Sequence, residues 1–116
     1  MNDTDKKKIL EFCGFTVEYK YHPSGNYTEI VYPDSRKKPG LPDLTCDWLF
    51  VHFVPAWNKA KPTDKIIEIA FVSSNCTICH GFLRPEEIQV GKTQAEAFAN
   101  AALKLIEQSE EYIKLC

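Results

Sequence analysis

Phe15-Thr16-Val17-Glu18-Tyr19-Lys20-Tyr21 alternates apolar and polar side chains with period two, the pattern of a strand that buries one face. His22-Pro23-Ser24-Gly25-Asn26 follows with turn-forming residues, and Tyr27 to Tyr32 is again rich in β-branched and aromatic side chains. The two runs predict a β-hairpin. A second pair lies downstream: Lys65 to Ser73 is β-branched with Glu68 as its polar interruption, Ser74-Asn75 supplies a turn, and Cys76 to Leu83 reads as a fourth strand.

Helical periods fill the intervals between these hairpins. Thr4, then Ile9, Leu10, Phe12 and Cys13, then Gly14, has the form of an N-cap, two turns and a C′ glycine, so a first helix is predicted over Thr4 to Cys13. Pro33 to Pro42 holds three prolines, a glycine and the basic run Arg36-Lys37-Lys38, and reads as a surface loop. Leu44 to Ala60 repeats Leu49, Phe53 and Trp57 every four positions, with Asp43 or Thr45 able to cap it. Pro55 removes the bond to the Val51 carbonyl, so a kink or an early end is expected there. Arg84 to Lys92 reads as a connection. Thr93-Gln94-Ala95-Glu96 has capping-box spacing, and Ala95, Phe98, Ala102, Leu105, Ile106 and Ile113 continue at helical intervals to about Tyr112. Two hairpins interleaved with three amphipathic helices predict one α+β domain over residues 1–116, with a four-stranded, mostly antiparallel sheet covered by the helices.

Composition fits that size. The 116 residues are 44% apolar and 26% charged, with 14 aromatic rings for one core, and exclude a fibrous or disordered chain. Net charge is −2, spread as +1 over residues 1–39, zero over 40–85 and −3 over 86–116. That distribution disfavours a phosphate-gripping arm, and Lys6-Lys7-Lys8 and Arg36-Lys37-Lys38 are shorter than a basic tract. The first residues are polar with no apolar core of a signal peptide behind them, and no apolar run is long enough to span a membrane. A cytoplasmic protein is expected, with its five cysteines reduced.

Several segments in order resemble the phage ABA-sandwich domain, a family of uncharacterised phage and prophage proteins. They are Ile9 to Phe15, Tyr32-Pro33-Asp34, Leu41 to Leu49 with Val54-Pro55, and Ala95 to Glu107 with its run Ala101-Ala102-Leu103-Lys104. The resemblance covers most of the chain and implies a helix/sheet/helix sandwich from a mobile genetic element, with no catalytic residues. The Pro33 to Pro42 loop and the Cys76 to His80 segment depart from that pattern.

Cys76-Thr77-Ile78-Cys79-His80 has the form of a c-type haem attachment site and of half a zinc site. On a strand, however, Cys76 and Cys79 point to opposite faces roughly 10 Å apart, too far to share a tetrahedral ion. β-Branched residues between them also oppose the helix N-terminus that a redox C-x-x-C needs. Small buried hydrophobes and a half-exposed histidine are the expected state, with no cofactor and no metal. A ligand set drawing on Cys46 or His52 requires a knuckle-like turn there.

Asp43, Asp47 and His52 fall in one region of the middle helix, where carboxylates near a histidine suit metal or acid-base work, and where Asp equally caps a helix. Trp48 and Trp57 stand half a helical circumference apart, so one of them should face outward as a partner anchor. Asp43, Asp47 and the outward tryptophan beside the Pro33 to Pro42 loop form the expected binding surface. The function these features favour is a non-enzymatic interaction protein that binds a host protein or a small ligand. The alternative is nucleic-acid binding in the manner of a double-stranded RNA-binding domain, suggested by Gly91-Lys92 before an Ala-rich helix and opposed by that helix's acidic residues.

Overall fold

The computed structural model describes residues 2–80, 84–85 and 88–115, with side chains for 2–80 and 88–109. Helix α1 (Asp3–Phe12) begins where Asn2 Oδ1 accepts from the Asp5 N–H at 2.8 Å. Asn2 thus replaces Thr4 as the cap, and the earlier start places Asp3 and Asp5 at the positive end of the helix. The helix ends as predicted, with Gly14 just past it in the left-handed region at φ +91°, against the ring of Pro33.

The first hairpin is present as strands β1 (Thr16–Lys20) and β2 (Tyr27–Val31), antiparallel with Val17 opposite Ile30. The expected loop after it is largely a second turn of the same sheet, because β3 (Lys37–Pro39) pairs with β2. Local polar chemistry closes that turn. Ser35 adopts φ +74° and donates its N–H to the Tyr32 carbonyl, while Asp34 accepts from the Arg36 N–H and pairs with its guanidinium at 2.7 Å.

The second hairpin is β4 (Ile66–Val72) and β5 (Asn75–His80), turned at Ser73 with φ +55°. Two short strands, β6 (Arg84–Pro85) and β7 (Gln89–Val90), pair with opposite ends of β5 on its other edge, so part of the predicted connection is strand. Residues 81–83, the expected end of the fourth strand, lie outside the described residues.

The predicted single four-stranded sheet is therefore replaced by two antiparallel sheets. Each hairpin instead recruits a short strand close to it in sequence, β3 on the second edge of β2 and β6 with β7 on that of β5, while β1 and β4 stay the outer strands of separate sheets. Among the described residues the first sheet packs mainly on α1 and the second on the C-terminal helix (Gln94–Leu115), and these two helices pack on each other.

The middle helix runs from Cys46 to Ala60 in one piece, capped by Thr45, whose Oγ1 accepts from the Trp48 N–H at 3.1 Å. Pro55 neither ends nor breaks it. The turn just before, Leu49–Phe53, is a π-helix in which the Val54 N–H reaches back five residues to the Leu49 carbonyl, and the helix continues as Val54–Ala60. Its stripe of Leu49, Phe53 and Trp57 is buried as predicted, together with Phe98, Ala102, Leu105 and Ile106 of the C-terminal helix. Thr93 Oγ1 accepts from the Glu96 N–H at 3.1 Å and opens that helix as expected, while the returning Glu96 carboxylate takes the Lys92 N–H at 3.3 Å in place of the Thr93 N–H of a capping box. One continuous core joins all three helices to Val17 and Ile30 of the first sheet and Cys76 and Ile78 of the second. The molecule is elongated, 53 × 35 × 25 Å, with a radius of gyration of 15.2 Å, above the about 13 Å usual for this length.

Candidate functional site

Period-two alternation puts Val17, Tyr19 and Tyr21 on one face of β1, and sequence alone reads that face as buried. Burial stops partway along it. Val17 and Ile30 are in the core, whereas Tyr19 is 61% exposed and Tyr21 85%. Tyr27, across from Lys20, is 45% exposed, and every residue from 21 to 27 is open to solvent. The hairpin extends beyond the helix that covers its base, and the last contact from α1 is Lys7, whose Nζ stands 5.5 Å over the Tyr19 ring.

The exposed end is ordered by its own polar groups. The Ser24 N–H donates to His22 Nδ1 at 3.1 Å, Ser24 Oγ lies 2.6 Å from the same nitrogen, and the Gly25 N–H donates to the His22 carbonyl. Lys20 pairs with Glu18 at 2.9 Å, and this bond holds Glu18 below the usual carboxylate range and raises Lys20. Tyr19, Tyr21 and Tyr27, with Asn26, Thr28 and Gly40, outline a shallow depression of about 520 Å³. Tyrosine with Ser, Gly and Asn is the composition of a recognition loop, since each ring offers a large amphipathic surface with few torsions to freeze. A composition signal was present in the run from Tyr19 to Tyr27, but the alternation pattern put Tyr19 and Tyr21 on the buried face of a strand.

The residues expected to form the site are only partly assembled. Trp48 is half-buried in a three-ring cluster, tilted against Phe15 at 5.6 Å and His52 at 4.7 Å, which themselves meet edge-on at 5.3 Å. Phe15 in turn meets Tyr32, which carries Arg36 and Lys38 over its ring, so Trp48 is linked to the β2–β3 turn as anticipated. Trp57 is not an outward anchor. It is 2% exposed, and its Nε1–H donates to the Asp64 carbonyl at 2.8 Å. Asp47 is exposed in the first helical turn, and Asp43 borders a separate hollow with Lys6, Thr93 and Glu96. Neither caps the helix through its side chain, because Thr45 does.

Asp43, Asp47 and His52 do not converge, and burial lowers the His52 pKa below its usual value. Cys76 and Cys79 lie on strand β5 as expected, Cys76 buried and Cys79 half-buried. Among the described residues no group of three or more His, Cys, Asp or Glu side chains could hold a metal ion, and no helix is long and apolar enough to cross a membrane. Comparison with protein-family models, with curated proteins and with solved structures finds no match for this chain.

Proposed function

We propose that this chain acts by binding a protein partner, and that its working surface is the tyrosine-bearing end of the first hairpin. The observation that carries this reading is the concentration of three exposed tyrosines at the end of one hairpin, Tyr19 on one strand, Tyr21 just past it and Tyr27 at the start of the other, at 61%, 85% and 45% exposure. Tyrosine is enriched among the residues that dominate interface energetics. Charge gives the class of partner: Lys20 is the one Lys, Arg, Asp or Glu among residues 19–28 and is paired with Glu18, so the hairpin end presents aromatic and neutral polar groups and suits a protein surface of the same kind rather than a strongly charged one. The resemblance of the ordered motifs to the phage ABA-sandwich family makes the chain an accessory protein of phage or prophage type. Asp43, Asp47 and Trp48 form the competing surface, favoured by the link from Trp48 through Phe15 to Tyr32.

Affinity capture with matched variants separates the two surfaces. Tyr19→Ser with Tyr21→Ser should abolish retention of a partner seen with the unaltered chain while leaving the melting temperature nearly unchanged. Asp47→Ala with Trp48→Ala should leave retention intact. The opposite pattern assigns the site to the middle helix, and capture that disappears on nuclease treatment contradicts a protein partner.

A further inference from the structure

The hairpin register brings Asp64 and His80 together although 16 positions separate them. Ile69 pairs with Ile78, so regular pairing would set Ile67 opposite His80; a β-bulge at Ile67 sets Ile66 there instead. Bulges are used to re-aim side chains beside sites. Here His80 Nδ1 lies 2.8 Å from both Asp64 carboxylate oxygens, so a ring N–H there donates to the carboxylate. Asp64 is itself fixed from two sides: its N–H donates to the Lys61 carbonyl, and its carbonyl accepts from Trp57 Nε1. Asn58 Oδ1 accepts from the Ile66 N–H at 2.8 Å and ties the start of β4 to the same helix end.

These groups border a pocket of about 340 Å³ closed on the far side by the C-terminal helix. Its size falls in the lower part of the range for small-molecule sites, roughly 300–1,000 Å³. Trp57 and Leu105 give it apolar walls, and the Trp57 ring meets the His80 ring edge-on at 5.9 Å. Its one described acid, Asp64, is turned toward His80. The remaining polar side chains, Lys61, Gln108 and Ser109, can all donate. Among the described residues none of these three side chains enters an ion pair or a hydrogen bond.

We infer that this pocket binds a small organic anion, with a carboxylate or phosphate monoester held by Lys61 and its apolar body against Trp57 and Leu105. An apolar cleft with a few convergent donors selects for such a ligand, and a charge-assisted bond to the lysine distinguishes it from a neutral molecule of equal size. The site is separate from the tyrosine hairpin and does not depend on that assignment.

The test is an NMR titration that follows the Trp57 indole N–H, assigned by its persistence in Trp48→Phe, with benzoate, phenyl phosphate and the neutral benzyl alcohol as probes. Benzoate or phenyl phosphate should shift it saturably, with benzyl alcohol at least about ten-fold weaker, as loss of a charge-assisted bond implies. Lys61→Met should weaken the anion by a similar factor, and Lys61→Arg should restore it; residue 61 is only partly buried, and an unchanged indole shift in the free variants shows that the fold is kept. Equal binding of benzyl alcohol, absence of a saturable shift with either anion, or an affinity unchanged in Lys61→Met overturns the inference.

Discussion

Burial pushes the Cys13 thiol up to about 12 and the Cys76 thiol to about 11, so neither is a useful nucleophile near neutral pH. A thiol-reactive chromophore should label both slowly in the folded protein and rapidly in denaturant; fast native labelling of Cys76 contradicts its place in the core. Their linkage to stability has a definite sign. Each pKa is raised in the folded state, so the associated stability is complete below the ordinary thiol value of 9.0 and is lost as pH rises through the folded values. His52 acts in the opposite range. Its pKa is lowered from 6.5 by desolvation, so its contribution is present above that value and is lost as pH falls through the folded one. Denaturant midpoints measured across acidic pH should show a shallower decline in His52→Phe than in the unaltered chain.

At the scale of elements, the caps and the core stripes carry separable energies. Thr45→Ala removes the bond to the Trp48 N–H and should cost about 1 kcal/mol, whereas Asp47→Ala, whose side chain caps nothing, should cost less than about 0.5 kcal/mol. Phe98 is fully buried and meets Phe50 and Phe71 edge-on, so Phe98→Ala should cost about 3–5 kcal/mol in urea unfolding. A loss near 1 kcal/mol contradicts the packing given to the C-terminal helix.

Helix stripes were legible in sequence because a 3.6-residue period marks one face directly, and Leu49, Phe53, Trp57 and Phe98 are buried as that period requires. The turn at Asp34 and Ser35 was not legible as a hairpin. Its closure depends on a left-handed serine and a side-chain cap, within a stretch whose prolines and glycine read as a loop. The path of the helix past Pro55 was hidden for a related reason: the π turn is a backbone adjustment without a residue signature of its own.

Over the whole molecule, sequence patterns determine strands but not which strands share a sheet. Each hairpin recruits a short third edge, β3 in one case and β6 with β7 in the other, and this divides the expected sheet in two. The same division leaves the first hairpin supported at its base and open at its end, where period-two alternation placed Tyr19 and Tyr21 in a core. Asp64 and His80 were invisible as a pair because only the bulged register of the second hairpin brings them together. Of the expected site, Trp48 kept its link to the β2–β3 turn while Trp57 went into the core.

The central claim is that the tyrosine end of the first hairpin contacts a protein. The most direct measurement replaces Tyr21 with a photo-crosslinking phenylalanine analogue and irradiates the chain in lysate of its native cells, with the same analogue at Val72 and at Trp48 as comparisons. Position 21 should give one discrete protein adduct, lost in Tyr19→Ser. An adduct that forms from Trp48 or Val72 but not from position 21 contradicts the account.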